Sequence, residues 1–137
     1  MDDRAALIER LAEIAAAIDG RDWETLSRAF TPDAHGYGRD GGPDAIVAQM
    51  RAHLDGVGPT QHLLGNHRVE VDGDRARTRT YARVYHVGAG PMEGSFYECL
   101  GEYDDHWVRE GDGWLLTRRS FEIRIGLGDF AVLRGAD

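Results

Sequence analysis

The chain has 137 residues, of which 42% are apolar and 29% are charged, and this composition excludes a disordered or fibrous chain. The net charge of −8 disfavours nucleic acid as a partner, and no apolar run is long enough to enter a membrane as a spanning helix. With one cysteine and no secretion signal at the N-terminus, we expect a cytoplasmic protein with a single domain over residues 1–137.

Helical spacing of apolar residues predicts a first helix over residues 4–18. Its buried stripe consists of Leu7, Leu11, Ile14 and Ile18. Asp19 and Gly20 follow and end the helix. At 100° per residue, Asp19 lies near the buried edge of this helix. We therefore expect its carboxylate to point under the helix and not into bulk water.

Two further helices are predicted before residue 60. Asp22 is a favourable N-cap for the second helix, which the Thr31-Pro32 step would end. Its buried side would carry Trp23, Leu26 and Phe30. The glycine-rich stretch 35–42 has room for one short strand, and Pro43 then fits the first turn of the third helix. The third helix would bury Ile46, Met50 and Leu54.

Beyond Thr60 the apolar pattern alternates, and turn residues separate four predicted strands. These strands cover about residues 60–71, 75–87, 95–110 and 114–125. Three helices followed by a long antiparallel sheet indicate an α+β fold, in which the sheet curves and the helices cover its concave side. The apolar tail after Gly126 could cover the mouth of a pocket or a neighbouring subunit.

The strand over residues 75–87 has two different faces. Its even positions are small or apolar and end in His86, whereas its odd positions are mostly Arg and Tyr. A face of small side chains leaves room for an apolar small molecule, which His86 would face; the alternative is a hydrogen-bonded core histidine. The opposite face, with Tyr81 and Tyr85, needs cover, so we expect a homodimer or homotrimer.

His62 and His67 lie on the preceding strand at positions of opposite parity. They can share a face only if a bulge intervenes, for which Gly65 is a candidate. An acidic partner fixes the tautomer of a histidine that acts as a base, and Asp19 is the nearest plausible partner. No histidine has a metal-ligand spacing and no nucleotide-binding motif occurs, so we expect neither a metal nor a cofactor.

The order of elements, with Asp19-Gly20-Arg21-Asp22-Trp23 at the helix junction and Gly113-Trp114 opening the last strand, resembles the nuclear-transport-factor-2-like superfamily, also called SnoaL-like or cystatin-like. Within it, the segments around Thr60-Gln61-His62 and Val84-Tyr85-His86 resemble the scytalone dehydratases. The Asp19 and His62 positions are also similar to those of lindane dehydrochlorinases. This resemblance implies a cone formed by a curved antiparallel sheet and three helices.

The resemblance also implies roles for individual residues. His62 would be the base, Asp19 the orienting carboxylate, His86 an acid or water holder, and Tyr37 a hydrogen-bond donor. Ile18 stands where those dehydratases have a second tyrosine, and Asp104 where they have an asparagine. The side chains expected to contact substrate are Trp23, Leu64, Val84 and Asp104.

Three functions remain open from the sequence. The first is a cofactor-free lyase that dehydrates a small cyclic or polyketide-like hydroxy-carbonyl compound. The second is a cyclase or isomerase that uses the same base. The third is a module that binds a ligand or dimerises without catalysis, in which Asp19 and His62 only satisfy each other in the core. A structure with no cavity between His62, His86 and Tyr37 would support it.

Overall fold

The computed structural model describes residues 2–134; the domain prediction also covers residue 1 and residues 135–137, which lie outside the described residues. The chain order is α1 (Asp3–Asp19), α2 (Trp23–Ser27), β1 (Phe30–Gly36), α3 (Gly42–Leu54), β2 (Thr60–Asp72), β3 (Arg75–Val87), β4 (Phe96–Glu110) and β5 (Gly113–Gly128), with short 3-10 helices at Gly90–Met92 and Phe130–Arg134. Within residues 2–134, no helix is long and apolar enough to cross a membrane.

The first helix forms as its apolar stripe predicts. Its first turn is capped by the Asp2 carboxylate, which accepts a 2.7 Å hydrogen bond from the backbone N–H of Ala5. All four residues of the predicted stripe are at most 1% exposed, because α1 packs its apolar side against the sheet, chiefly on β2. The helix ends at Asp19, so this carboxylate is held at the junction of α1, α2 and β2.

The prediction for the second helix was wrong in its extent. α2 ends at Ser27, and Phe30 begins β1 instead of closing the helix. β1 runs parallel to β5 at one edge of the sheet. An edge strand has one side without ladder hydrogen bonds, so it tolerates Pro32, which a central strand would exclude. The sheet is therefore mixed and not wholly antiparallel.

The five strands form one curved, unclosed sheet in the order β1-β5-β4-β3-β2. Every pair except β1 and β5 is antiparallel, so the fold is the predicted α+β arrangement with one parallel addition. Register shifts between Leu100 and Gly101 and between His106 and Trp107 bend the sheet, as bulges do. At Gly101 the strands approach so closely that a Cβ atom would lie 2.2 Å from the Glu122 carbonyl oxygen.

The two faces of the sheet differ as the alternation predicts. The even positions of β3 are buried on the concave side, and its arginines lie on the convex side. The convex face also carries large apolar side chains that are 39–68% exposed: Leu63, Tyr81, Tyr85, Phe96, Ile125 and Leu127. Coverage of this face by one or two further copies of the chain stays a prediction.

The C-terminal segment closes one end of the concave side. β5 continues to Gly128, three residues beyond the predicted end, and the 3-10 helix at Phe130–Arg134 then packs against β4, β3 and α3. Val132 is 1% exposed, and Leu133 contributes to the cavity wall described below. The tail thus helps to enclose the space between the helices and the sheet.

Candidate active site

A cavity of about 370 Å³ lies between the concave face of the sheet, the end of α1, α3 and the C-terminal segment. Its wall is largely apolar, and its polar groups come from a few histidines, tyrosines and small side chains. The lining residues include Ile18, Tyr37, His62, Val84, His86 and Tyr103. A mostly apolar cavity with few polar groups is typical of a small-molecule site.

Asp19 and His62 form the predicted pair at one side of this cavity. The Nδ1–H of His62 donates a 2.6 Å hydrogen bond to Asp19 Oδ1, and the backbone N–H of His62 donates to Oδ2 at 2.9 Å. Because Nδ1 carries the shared proton in this arrangement, Nε2 of His62 is the nitrogen that can accept a proton. The His62 side chain is only 6% exposed and lines the cavity.

A second layer of hydrogen bonds fixes the carboxylate. The Thr60 hydroxyl donates to Asp19 Oδ1 at 2.9 Å and accepts a 2.9 Å hydrogen bond from the Arg21 guanidinium. That guanidinium also donates to the carbonyl oxygens of Ile18 and Gly58 at 3.0 and 2.8 Å. Arg21 itself has a positive φ of 54°, which is unusual for a residue with a Cβ. The junction after α1 is therefore shaped to hold Asp19 against β2.

The surroundings of Asp19 favour its ionised form. Burial raises the pKa of this carboxyl, but hydrogen bonds from His62 and Thr60, together with the charge of His62, outweigh it. The net result is a pKa below the ordinary value of 3.8. Asp19 thus remains a carboxylate at neutral pH.

This lowered pKa predicts how stability depends on pH. A carboxylate with a lower pKa in the folded chain stabilises the fold above its unfolded pKa and loses that effect as pH falls through the folded value. We expect the advantage of the wild type over Asp19→Asn in free energy of unfolding to shrink as pH falls below 3.8. Denaturant unfolding at a series of pH values measures it, and an advantage that grows below that pH would contradict the assignment.

His86 lies on the same cavity but is held differently. Its Nδ1–H donates to the Tyr97 carbonyl oxygen at 2.8 Å, and its ring stacks on that of Tyr97. Burial lowers the pKa of His86, and the neighbouring charges of His62 and Arg21 lower it further, against the effect of the hydrogen bond to Tyr97. A neutral imidazole that donates through Nδ1 presents only an acceptor at Nε2. This favours the predicted role of water holder over that of acid.

A bulge in β2 settles how the two histidines of this strand are oriented. Gly65 pairs with Tyr81 and Arg68 with Arg79, so Asn66 and His67 together oppose Thr80. Asn66 adopts a φ of 51°, and the predicted bulge is thus located directly after Gly65. As a result both histidines turn to the helix side. His62 faces the cavity, whereas His67 contacts Thr80 at 3.3 Å beside α1.

Three of the four residues predicted to contact substrate do not line this cavity. Asp104 lies on the convex face, where its carboxylate accepts two hydrogen bonds from Arg77 at 2.9 and 2.7 Å. The inward residues of β4 have odd numbers, so the predicted register was off by one position. Leu64 and Trp23 instead pack against the core, and Val84 alone belongs to the cavity wall.

The residue that occupies the concave side is Asp105. It is fully buried and binds Arg119 of β5 through two hydrogen bonds of 2.8 and 3.0 Å. The guanidinium stacks 3.9 Å above the ring of Tyr103, which lines the cavity. Sequence reasoning missed this group, although a signal was present. The odd positions of β4 are mostly aromatic or small, while the even positions collect charges, which marks the odd face as the inner one.

We expect Asp105→Asn to destabilise the fold by about 3–5 kcal/mol, because it leaves the charge of Arg119 buried without a partner. The adjacent Asp104→Asn is a matched control, since its ion pair with Arg77 is partly exposed to solvent and should contribute far less to stability. Denaturant unfolding of both variants measures the difference. Equal losses of stability in the two variants would show that the buried ion pair contributes no more than the exposed one.

The fold and this cavity define the class of the protein: a small cone-shaped α+β domain that can enclose a ligand between its helices and its sheet. Residues 1–120 match the family model of the SnoaL-like domain, and the chain belongs to this family. The Mycobacterium tuberculosis protein "Uncharacterized protein Rv2910c" is 37% identical over 124 residues, which are 87% of this chain and 84% of that protein.

Solved structures share the fold at lower identity. A putative scytalone dehydratase from Novosphingobium aromaticivorans superposes with a TM-score of 0.81 at 18% identity, over 91% of this chain and 86% of that one. A hexachlorocyclohexane dehydrochlorinase from Novosphingobium barchaimii gives 0.79 at 15% identity, over 91% and 88%. At these identities the likeness concerns the fold alone.

Proposed function

We propose that this protein is a cofactor-free lyase that removes water from a small cyclic or polyketide-like hydroxy-carbonyl compound. The observation that carries the proposal is the 2.6 Å hydrogen bond between Asp19 and His62 at the wall of an apolar cavity. A carboxylate on one imidazole nitrogen makes the other nitrogen a positioned base, which is what abstraction of a proton beside a carbonyl requires.

The proposed reaction has two steps and needs no external group. Nε2 of His62 takes a proton from the carbon next to the carbonyl, and the electron pair of the C–H bond passes into an enolate. The enolate then reforms the carbonyl as the C–O bond of the hydroxyl group breaks. The departing hydroxide takes the proton back from His62 and leaves as water, and Nε2 of His86 accepts a hydrogen bond from it.

The remaining features of the cavity agree with such a substrate. The hydroxyl of Tyr37 is available as a donor for an oxygen of the substrate, and the apolar wall formed with Ile18 and Val84 suits a ring. Among the structures that share this fold, one is called a putative dehydratase and another a dehydrochlorinase, and both names describe eliminations. These names support the reaction type and leave the substrate open.

The experiment is a screen of cyclic hydroxy ketones with the purified wild type and with His62→Ala. We expect at least one compound to lose the mass of one water and gain the ultraviolet absorption of a conjugated ketone with the wild type only. A product made equally by both proteins would overturn the proposal, as would a full screen of ring sizes with no turnover.

A cyclase or isomerase is the second candidate. It is favoured by the state of His86, which at neutral pH has no proton to give at Nε2, so that His62 must both take and return the proton. Returning it to carbon instead of oxygen gives an isomer and needs the same residues. Product analysis in the same screen separates the two, because isomerisation leaves the mass unchanged. The open cavity argues against a role without any ligand.

A further inference from the structure

The elimination above uses Tyr37 and leaves its neighbours in one polar cluster beside the cavity without a function. The cluster consists of the half-buried Tyr37 and the buried Tyr103, Asp105 and Arg119, and it lies away from the base. The strand register shows this separation. His62 pairs with Val84, whereas Tyr103 pairs with Thr80, four positions further along β3. Four residues of a strand span about 13 Å, so the phenols and the base face different ends of a bound molecule.

The cluster has two features that packing alone does not require. Removing Asp105 and Arg119 from water is costly, and apolar residues of similar size would often serve stability equally well. In addition, Tyr37 adopts a φ of 51°, a strained conformation for an aromatic residue, while its backbone N–H donates to the Arg119 carbonyl oxygen at 3.2 Å. Strain and buried charge at one place of a cavity wall indicate a site that the fold maintains.

The hydrogen bonds show which atoms of this cluster donate and which accept. Two nitrogens of Arg119 are occupied by Asp105, and a third, Nη1, donates to the Tyr37 hydroxyl oxygen at 3.4 Å. That oxygen is therefore an acceptor toward the guanidinium, and its own proton is directed elsewhere. The guanidinium also covers the ring of Tyr103 at 3.9 Å. A fixed cation beside two phenols withdraws electron density and makes them stronger donors.

Tyr103 keeps its proton. Burial raises the pKa of Tyr103 well above its ordinary value, and the neighbouring Tyr37 adds to this shift, in part through a hydrogen bond between the two phenols. Burial alone would lower the pKa of Arg119, but the charge of Asp105 outweighs it and keeps the guanidinium positive. The cluster is therefore a pair of hydrogen-bonded phenols with a buried positive charge beside them.

We infer that Tyr37 and Tyr103, backed by Arg119, form an anion-stabilising site for the substrate oxygen on which negative charge develops. The inference rests on the proposed function and deepens it by adding Tyr103 and Arg119 as the groups that support the Tyr37 donor. The inference also narrows the class of compounds that can be the substrate. Because the phenols and His62 face different ends of the cavity, charge released at the C–H bond must reach the oxygen through conjugation. The substrate class is a ring compound whose carbonyl or phenolic oxygen is conjugated with the reacting carbon.

The test uses 4-nitrophenol, whose phenolate is yellow, and 4-nitroanisole as a neutral probe of similar size. We expect the wild type to bind the phenolate more tightly than the anisole and to lower the pKa of bound nitrophenol. Tyr103→Phe and Tyr37→Phe should each weaken phenolate binding about tenfold to a hundredfold and leave anisole binding unchanged. Tyr85→Phe, on the convex face, is the matched control and should change neither.

His62→Ala separates this inference from the proposed base. Phenolate preference that survives in His62→Ala and falls in the two tyrosine variants supports the anion site. Preference that is lost in His62→Ala but kept in Tyr103→Phe and Tyr37→Phe assigns the anion to a protonated His62 and overturns the inference, while the base remains. A wild type that binds both probes equally also overturns it. Thermal unfolding verifies that each variant is folded. If Tyr103→Phe is not folded, the result with Tyr37→Phe decides between these outcomes.

Discussion

His62→Ala is expected to lower the turnover of the true substrate about a hundred- to ten-thousandfold, because it removes the only cavity imidazole that bonds to a carboxylate in the described part of the chain. The loss should appear in kcat, since Nε2 acts in the proton transfer and the cavity wall remains. Steady-state kinetics with the compound found in the screen, at neutral pH, measures it.

A matched control is His106→Ala. His106 is an imidazole on the convex face, 47% exposed, and its nearest carboxylate, Asp104, is 3.8 Å away. Its loss should leave kcat and KM unchanged. If His62→Ala retained more than about a tenth of wild-type kcat, His62 would not be the base. The pocket would then bind its ligand by shape, and the catalytic proposal would fall.

Asp19→Asn is expected to be nearly as harmful, although the side chain keeps its shape. The carboxylate accepts hydrogen bonds from His62 Nδ1, from the His62 backbone N–H and from Thr60. An amide offers only one acceptor oxygen, so its NH2 group must face a donor or force His62 to carry its proton on Nε2. In that tautomer the nitrogen that faces the cavity is no longer a base. A comparable change in a serine protease triad costs about 10⁴-fold in kcat, which sets the scale.

The tautomer itself can be measured. The ¹⁵N chemical shifts of His62 should show the proton on Nδ1 in the wild type and on Nε2 in Asp19→Asn. Asp22→Asn is the control, because Asp22 caps α2 three residues away and has no contact with His62. It should leave turnover intact and change stability little, because asparagine caps a helix about as well as aspartate. An Asp19→Asn variant with wild-type kcat would show that the carboxylate has no role in the reaction.

Much of the fold could be predicted because its signals are local. The stripe of α1, the Pro43 start of α3 and the alternation in β2 to β5 are each contained within one element. The short strand expected within residues 35–42 could not be located in this way, because β1 lies earlier, at Phe30–Gly36. It is a short edge strand with a proline, and its partner β5 lies about eighty residues further along the chain. What forms it is a tertiary contact that no local pattern encodes.

The site was predictable to the extent that it depends on single positions. Asp19, His62, His86, Val84 and Tyr37 are placed where the sequence located them. The rest of the site depended on the register of β4. An error of one residue in the register of a strand exchanges its inner and outer faces.

That error placed Asp104 in the pocket and hid Asp105, its partner Arg119 and the neighbouring Tyr103. The charges at the even positions of β4 mark that face as the convex one and place Asp105 on the inner face. The meeting of Tyr37 with Tyr103 could not have been foreseen, because these residues come from β4 and from the segment after β1.

Deuterium uptake by a cyclic ketone in heavy water tests the central claim most directly, because proton abstraction precedes dehydration, cyclisation and isomerisation alike. Proton NMR follows loss of the signal from the carbon beside the carbonyl. We expect exchange with the wild type and with His106→Ala, and none above background with His62→Ala or Asp19→Asn. Exchange at the wild-type rate in His62→Ala would contradict the assignment of this imidazole as the base.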